Sequence, residues 1–94
     1  MDSYKITEAL RRRLDIERLR PMQAKMMDTR SRAVMLAAPT GSGKTVAFGC
    51  YMLRRVGEPC GKVQAVVTVP SRELALQVSD VVRRMASGLK TTTV

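Results

Sequence analysis

Apolar positions recur at helical spacing in four stretches of this chain and crowd together in two others. Ile6, Leu10 and Leu14 stand at i, i+4 and i+8 with Arg11, Arg12 and Arg13 between them. That predicts an amphipathic helix, with Thr7 as its candidate cap. A second helix is predicted to start near Pro21, because proline suits a first turn. Met22, Met26 and Met27 form its buried stripe, and the polar turn Asp28-Thr29-Arg30-Ser31 ends it. Helical spacing returns from Lys44 to about Val56 through Val46, Met52 and Leu53, until Gly57-Glu58-Pro59 stops it. Residues 72–86 carry the cleanest pattern, with Leu74, Val78, Val82 and Met85 on one face and Ser87-Gly88 beyond the last turn.

The two crowded stretches read as strands. Ala33 to Ala37 is a short continuous apolar run ahead of a Pro-Thr-Gly turn, as expected of a buried strand. Val63 to Val69 is β-branched and almost uncharged. The order is helix, helix, strand, helix, strand, helix, with Lys90 to Val94 as the opening of a third strand. Strands alternating with helices predict an α/β fold, a parallel sheet with right-handed crossovers and helices on both faces. Two strands alone leave such a sheet uncovered, so the chain is expected to be the N-terminal part of a longer protein. Its open sheet edge predicts self-association. The division expected is a helical segment over 1–32 and the start of the α/β domain over 33–94.

Composition narrows the function. Of the 94 residues, 45% are hydrophobic and 27% charged, an ordinary globular balance. No apolar run approaches a membrane span, and the polar N-terminus lacks the apolar stretch of a secretory signal. A cytoplasmic location with no membrane partner is expected. Cys50 and Cys60 are then expected to stay reduced, a disulfide between them being the alternative. Two cysteines and no histidine exclude a structural zinc and histidine catalysis within these residues. Seventeen Lys and Arg stand against eight Asp and Glu, a net charge of +9, which favours polyanion partners, nucleic acid above all. Acids elsewhere in a longer chain are the other source of that excess. The Arg11–Arg13 run reads first as a solvated helix face. With only Tyr4, Tyr51 and Phe48 as aromatics, stacking on bases is not supported, and gripping a phosphate backbone is.

One segment carries recognisable chemistry. Ala38-Pro39-Thr40-Gly41-Ser42-Gly43-Lys44-Thr45 joins the first predicted strand to a helix. Gly41 and Gly43 let the backbone turn tightly and approach phosphate oxygens. Successive N–H groups then face one concavity, and the helix adds its positive end. Lys44 would reach the β- and γ-phosphates, and the Thr45 hydroxyl would ligate Mg²⁺. The spacing points to a P-loop for a purine nucleoside triphosphate, against the alternative of a plain glycine-rich turn.

Two flanking segments add a family resemblance. Pro70-Ser71-Arg72-Glu73-Leu74-Ala75-Leu76-Gln77 resembles the Pro-Thr-Arg-Glu-Leu-Ala-x-Gln segment of DEAD-box helicases. Ile16-Glu17-Arg18-Leu19-Arg20-Pro21-Met22-Gln23 resembles their Q motif, and Ala-x-Thr-Gly-Ser-Gly-Lys-Thr is their form of the phosphate loop. The resemblance implies a RecA-like P-loop domain 1 of an ATP-dependent RNA helicase, with ATP and Mg²⁺ as cofactors. It implies that Gln23 reads adenine through its amide, which offers one donor and one acceptor. Ile16 falls where the family stacks an aromatic on the base, and Asp15 and Leu19 replace its usual Gly and Pro. Ser71 and Arg72 would hold the sugar-phosphate backbone of a single strand, without reading sequence. Locally, Gln23 also reads as a surface helical glutamine and Ser71 as a helix cap.

No Asp-Glu-Ala-Asp occurs in these residues, and the second helicase domain that the family uses lies beyond them. The 94 residues are therefore expected to bind nucleotide without turning it over, although the full-length protein is expected to be an enzyme. Two other readings remain. One is another P-loop enzyme, a DNA-acting superfamily 2 translocase or a nucleotide kinase. The other is a non-catalytic, nucleotide-dependent binding module.

Overall fold

The computed structural model describes residues 2–57 and 60–87. It holds four helices: α1 (Ser3–Leu14), α2 (Pro21–Asp28), α3 (Lys44–Arg54) and α4 (Arg72–Ala86). All four predicted helices are present, and α2 and α4 keep their predicted spans. The start of α1 differs from the expectation. Its cap is Asp2, whose carboxylate accepts from the Tyr4 amide at 2.9 Å. The Thr7 hydroxyl instead donates to the Ser3 carbonyl one turn back, at 2.8 Å. Asp15, in the left-handed region at φ 56°, ends the helix. The three arginines in the last turn of α1 suit the negative end of its dipole. Glu8 lies 3.1 Å from Arg11 and 3.6 Å from Arg12, exposed pairs that add little to stability.

The helices bury their apolar stripes on one another. Ile6 and Leu10 of α1, Met27 of α2, Cys50 and Leu53 of α3, Val56, and Met85 and Ala86 of α4 form one cluster. Leu14, Ile16, Leu19, Val46 and Val81 pack around it. Helix α3 is central, in contact with each of the other three. It approaches α4 closely at Gly49, where a Cβ would stand 2.7 Å from the Met85 sulfur.

The parallel sheet expected from the sequence is not formed. Among the described residues there is no strand: the stretches 33–37 and 63–69 run without a ladder of backbone hydrogen bonds. The reason is physical. A strand satisfies its backbone only through a neighbour, and a parallel sheet must be covered on both faces. Here the helices spend their apolar faces on each other. Met35 is 95% exposed, and Val63 and Val66 are 78% and 77% exposed. Met35 therefore departs from the buried strand expected over Ala33 to Ala37. The predicted third strand, Lys90 to Val94, lies outside the described residues. Among the described residues no sheet edge supports the expected self-association; exposed apolar side chains stand at 35, 63 and 66 instead.

Side chains close the turn after α2. Tyr51 donates its hydroxyl to the Ser31 carbonyl at 2.8 Å. The Arg55 guanidinium lies 3.6 Å from the Tyr51 ring centre and donates to the carbonyls of Thr29 and Ser31, each at 3.1 Å. Arg54 donates to the Met27 carbonyl at 3.3 Å. The C-terminal end of α3 is thus fastened to the chain that leaves α2. No helix among the described residues is long and apolar enough to cross a membrane.

Two outcomes follow. Leu10 is fully buried where α1, α3 and α4 meet, so Leu10→Ala should cost about 2–5 kcal/mol, read as a lowered midpoint in urea unfolding. Burial pushes the Cys50 thiol up to about 11, and Cys60 is exposed. The thiolate is the reactive form. A thiol reagent at pH 8 should therefore modify one cysteine quickly and the second only after denaturation; equal rates at both would contradict the packing of α3.

Candidate nucleotide-binding site

The segment 38–45 turns from irregular chain into α3 through two left-handed glycines, Gly41 at φ 83° and Gly43 at φ 85°. The turn is closed from inside. Both the Ser42 amide and the Ser42 hydroxyl donate to the Pro39 carbonyl, at 3.2 and 2.6 Å. Lys44 curls back so that its ammonium donates to the Ala38 carbonyl at 2.9 Å. A Cβ on Gly41 would meet nothing within 4 Å, so the loop has open space beside it.

Gly43 caps α3 without a side chain, and no acidic residue stands in the first turn of that helix. By contrast, α1 has Asp2, and α4 has Ser71 and Glu73. The first amides of α3 and the positive end of its dipole are left to an outside acceptor, the usual setting for a bound phosphate. Among the described residues the Thr45 hydroxyl has no hydrogen-bond partner, and no group of three or more His, Cys, Asp or Glu could hold a metal ion.

Gln23 meets this loop. Its side chain is only 3% exposed. Its amide oxygen accepts from the Arg20 backbone N–H at 2.9 Å, and its amide nitrogen donates to the Gly43 carbonyl at 3.2 Å. The surface-glutamine reading of Gln23 is therefore set aside. A Cβ on Gly43 would overlap that amide nitrogen, so glycine is required here by contact as well as by φ. The Gly43 carbonyl also accepts the first intrahelical bond of α3, from Ala47 at 3.1 Å.

The other predicted residues lie elsewhere. Ile16 packs against the hydrophobic cluster, with its amide on the Leu10 carbonyl at 3.1 Å. Ser71 caps α4, its hydroxyl accepting from the Leu74 amide at 3.2 Å. Arg72 follows, exposed, in the first turn. No hydrogen bond among the described residues ties either one to the loop. The sequence reading passed over Arg20, whose guanidinium lies 3.5 Å from the Gly41 carbonyl. The available signal is its place before Pro21, which forces an extended backbone (φ −68°, ψ 155°).

Comparison with known proteins shows the family. The family model described as DEAD/DEAH box helicase matches residues 20–94. The DEAD-box ATP-dependent RNA helicase CshA of Geobacillus kaustophilus is 39% identical over 80 residues, 83% of this chain and 17% of that protein. The ATP-dependent RNA helicase DbpA of Escherichia coli is 46% identical over 59 residues, 63% of this chain and 13% of its own. The ATP-dependent RNA helicase DHH1 of Saccharomyces cerevisiae is 46% identical over 54 residues, 57% of this chain and 11% of its own. The chain thus spans less than a fifth of the length of these relatives. No solved structure matches it. With the family model covering all but the first nineteen residues, the chain belongs to the DEAD/DEAH box helicases.

Proposed function

We propose that these residues bind ATP with Mg²⁺ through the loop 38–45 and Gln23, as the nucleotide-binding part of an ATP-dependent RNA helicase. The observation that carries the reading is the bond from the Gln23 amide to the Gly43 carbonyl. It joins the residue suited to reading a purine edge to the loop suited to holding its phosphates. Further support comes from Lys44, whose ammonium has, among the described residues, a neutral carbonyl as its partner, and from the uncapped start of α3. The loop amides and Lys44 would hold the phosphate tail. The Thr45 hydroxyl would hold Mg²⁺, which when bound neutralises phosphate charge. To read adenine, Gln23 would exchange its present partners for the base, so nucleotide binding and loop geometry would be coupled.

The RNA contact is proposed at Ser71 and Arg72. Arginine in a first helical turn opposes the helix dipole, so helix stability does not explain Arg72; a phosphate at the capped N-terminus does. The division into residues 1–32 and 33–94, the second helicase domain, unwinding by the full-length protein and its cytoplasmic location belong to the same proposal. Relatives named as RNA helicases favour RNA over DNA as the polymer.

Calorimetric titration with Mg-ADP and Mg-GDP tests the site. ADP should bind at least about tenfold tighter, the worth of one well-made polar contact. Gln23→Ala should remove that preference, and Lys44→Ala should weaken both nucleotides. Equal binding of ADP and GDP would discard Gln23 as the base reader, and binding of neither would discard the site. The 94 residues alone should show no RNA-stimulated ATP hydrolysis; steady turnover would overturn the division of labour proposed here.

A further inference from the structure

We propose that Arg20 is a second cation for the phosphate tail of the nucleotide, acting across the loop from Lys44. This rests on the nucleotide reading above. Arg20 is the last extended residue before α2, and its backbone is fixed from both sides, by Pro21 after it and by the Gln23 amide oxygen on its N–H. That anchoring aims the side chain at the phosphate loop. Its Cδ lies 3.7 Å from where a Cβ on Gly43 would stand, and its guanidinium reaches the Gly41 carbonyl.

The contact is weak. At 3.5 Å it sits at the outer limit of a hydrogen bond, and its acceptor is neutral. No carboxylate among the described residues pairs with Arg20: the ion pairs are those of Glu8 with Arg11 and Arg12 and of Asp80 with Arg84. Lys44 is in the same state, its ammonium on the Ala38 carbonyl. Two cations therefore flank one loop, each resting on a loop carbonyl. A phosphate oxygen is a far stronger acceptor for a guanidinium than a peptide carbonyl, and a planar fork can meet two oxygens at once. When a polyphosphate enters the loop, Arg20 gives up Gly41 and takes phosphate.

This role predicts a dependence on phosphate number. Binding of Mg-ATP, Mg-ADP and AMP is measured by calorimetry at low salt on the 94-residue chain and on Arg20→Gln, Arg20→Lys and Lys44→Ala. Arg20→Gln should weaken ATP about tenfold, ADP less, and AMP by under about twofold. Arg20→Lys should recover part of the ATP loss, since it keeps the charge but not the planar fork. A thermal midpoint for Arg20→Gln equal to that of the parent separates this effect from misfolding; if that variant unfolds, the Arg20→Lys values against the parent decide. Equal losses for ATP and AMP would place the guanidinium on the nucleoside and overturn the proposal. Unchanged ATP binding in Arg20→Gln, with Lys44→Ala weakened, would overturn it while leaving the nucleotide site standing. No ATP binding by the parent would overturn both.

Discussion

One side-chain amide ties the molecule together where its chemistry is expected. Gln23 sits in the first turn of α2, accepts the Arg20 N–H and donates to the carbonyl of Gly43, the cap of α3. Both of its polar groups are used, as a buried amide requires. The consequence is geometric: two helix N-termini meet at one glycine-rich turn. Their positive ends do not favour each other's company. What holds them together is the Gln23 bridge at one end and the clamp of Tyr51, Arg54 and Arg55 on the 27–31 carbonyls at the other. A pair of helices fixed at both ends presents its shared positive corner as a preformed feature, and an anion placed there relieves the repulsion.

That corner also explains why glycine is needed at position 43. The residue must adopt φ 85° and leave room for the Gln23 amide. Gly41 answers to φ alone, since open space surrounds it. The two glycines of the motif therefore answer to different constraints, Gly43 to φ and to contact between the helices, Gly41 to φ alone.

What could be read in the sequence was what neighbouring residues decide. The α4 pattern gave Arg72–Ala86 because its cap, stripe and stop lie within the segment itself. The loop 38–45 could be read because glycine, lysine and threonine at fixed spacing have a local mechanism. The strands could not be settled, because a β-rich stretch says only that it suits a sheet, and the ladder must come from elsewhere. Residues 33–37 and 63–69 keep that composition without a ladder. Two further features were not legible. Thr7 looked like a cap until Asp2 took the place. Arg20 carries no reading of its own in the sequence, because nothing there marks which loop, 21 residues later, its side chain will meet.

The charge excess takes on meaning once each cation is given its neighbours. Arg54 and Arg55 donate to backbone carbonyls as part of the α2–α3 clamp. Arg11, Arg12 and Arg84 lie along carboxylates of their own helices. Arg20 and Lys44 differ from both groups. Both reach carbonyls of one short loop, 38–45, beside helix amides that lack a side-chain cap. A net charge of +9 spread evenly would attract any polyanion weakly. Gathered at one turn with open space beside Gly41, part of it would, on the nucleotide reading proposed above, favour an anion small enough to enter and charged enough to displace two carbonyls. A phosphate chain meets both conditions better than a single carboxylate does.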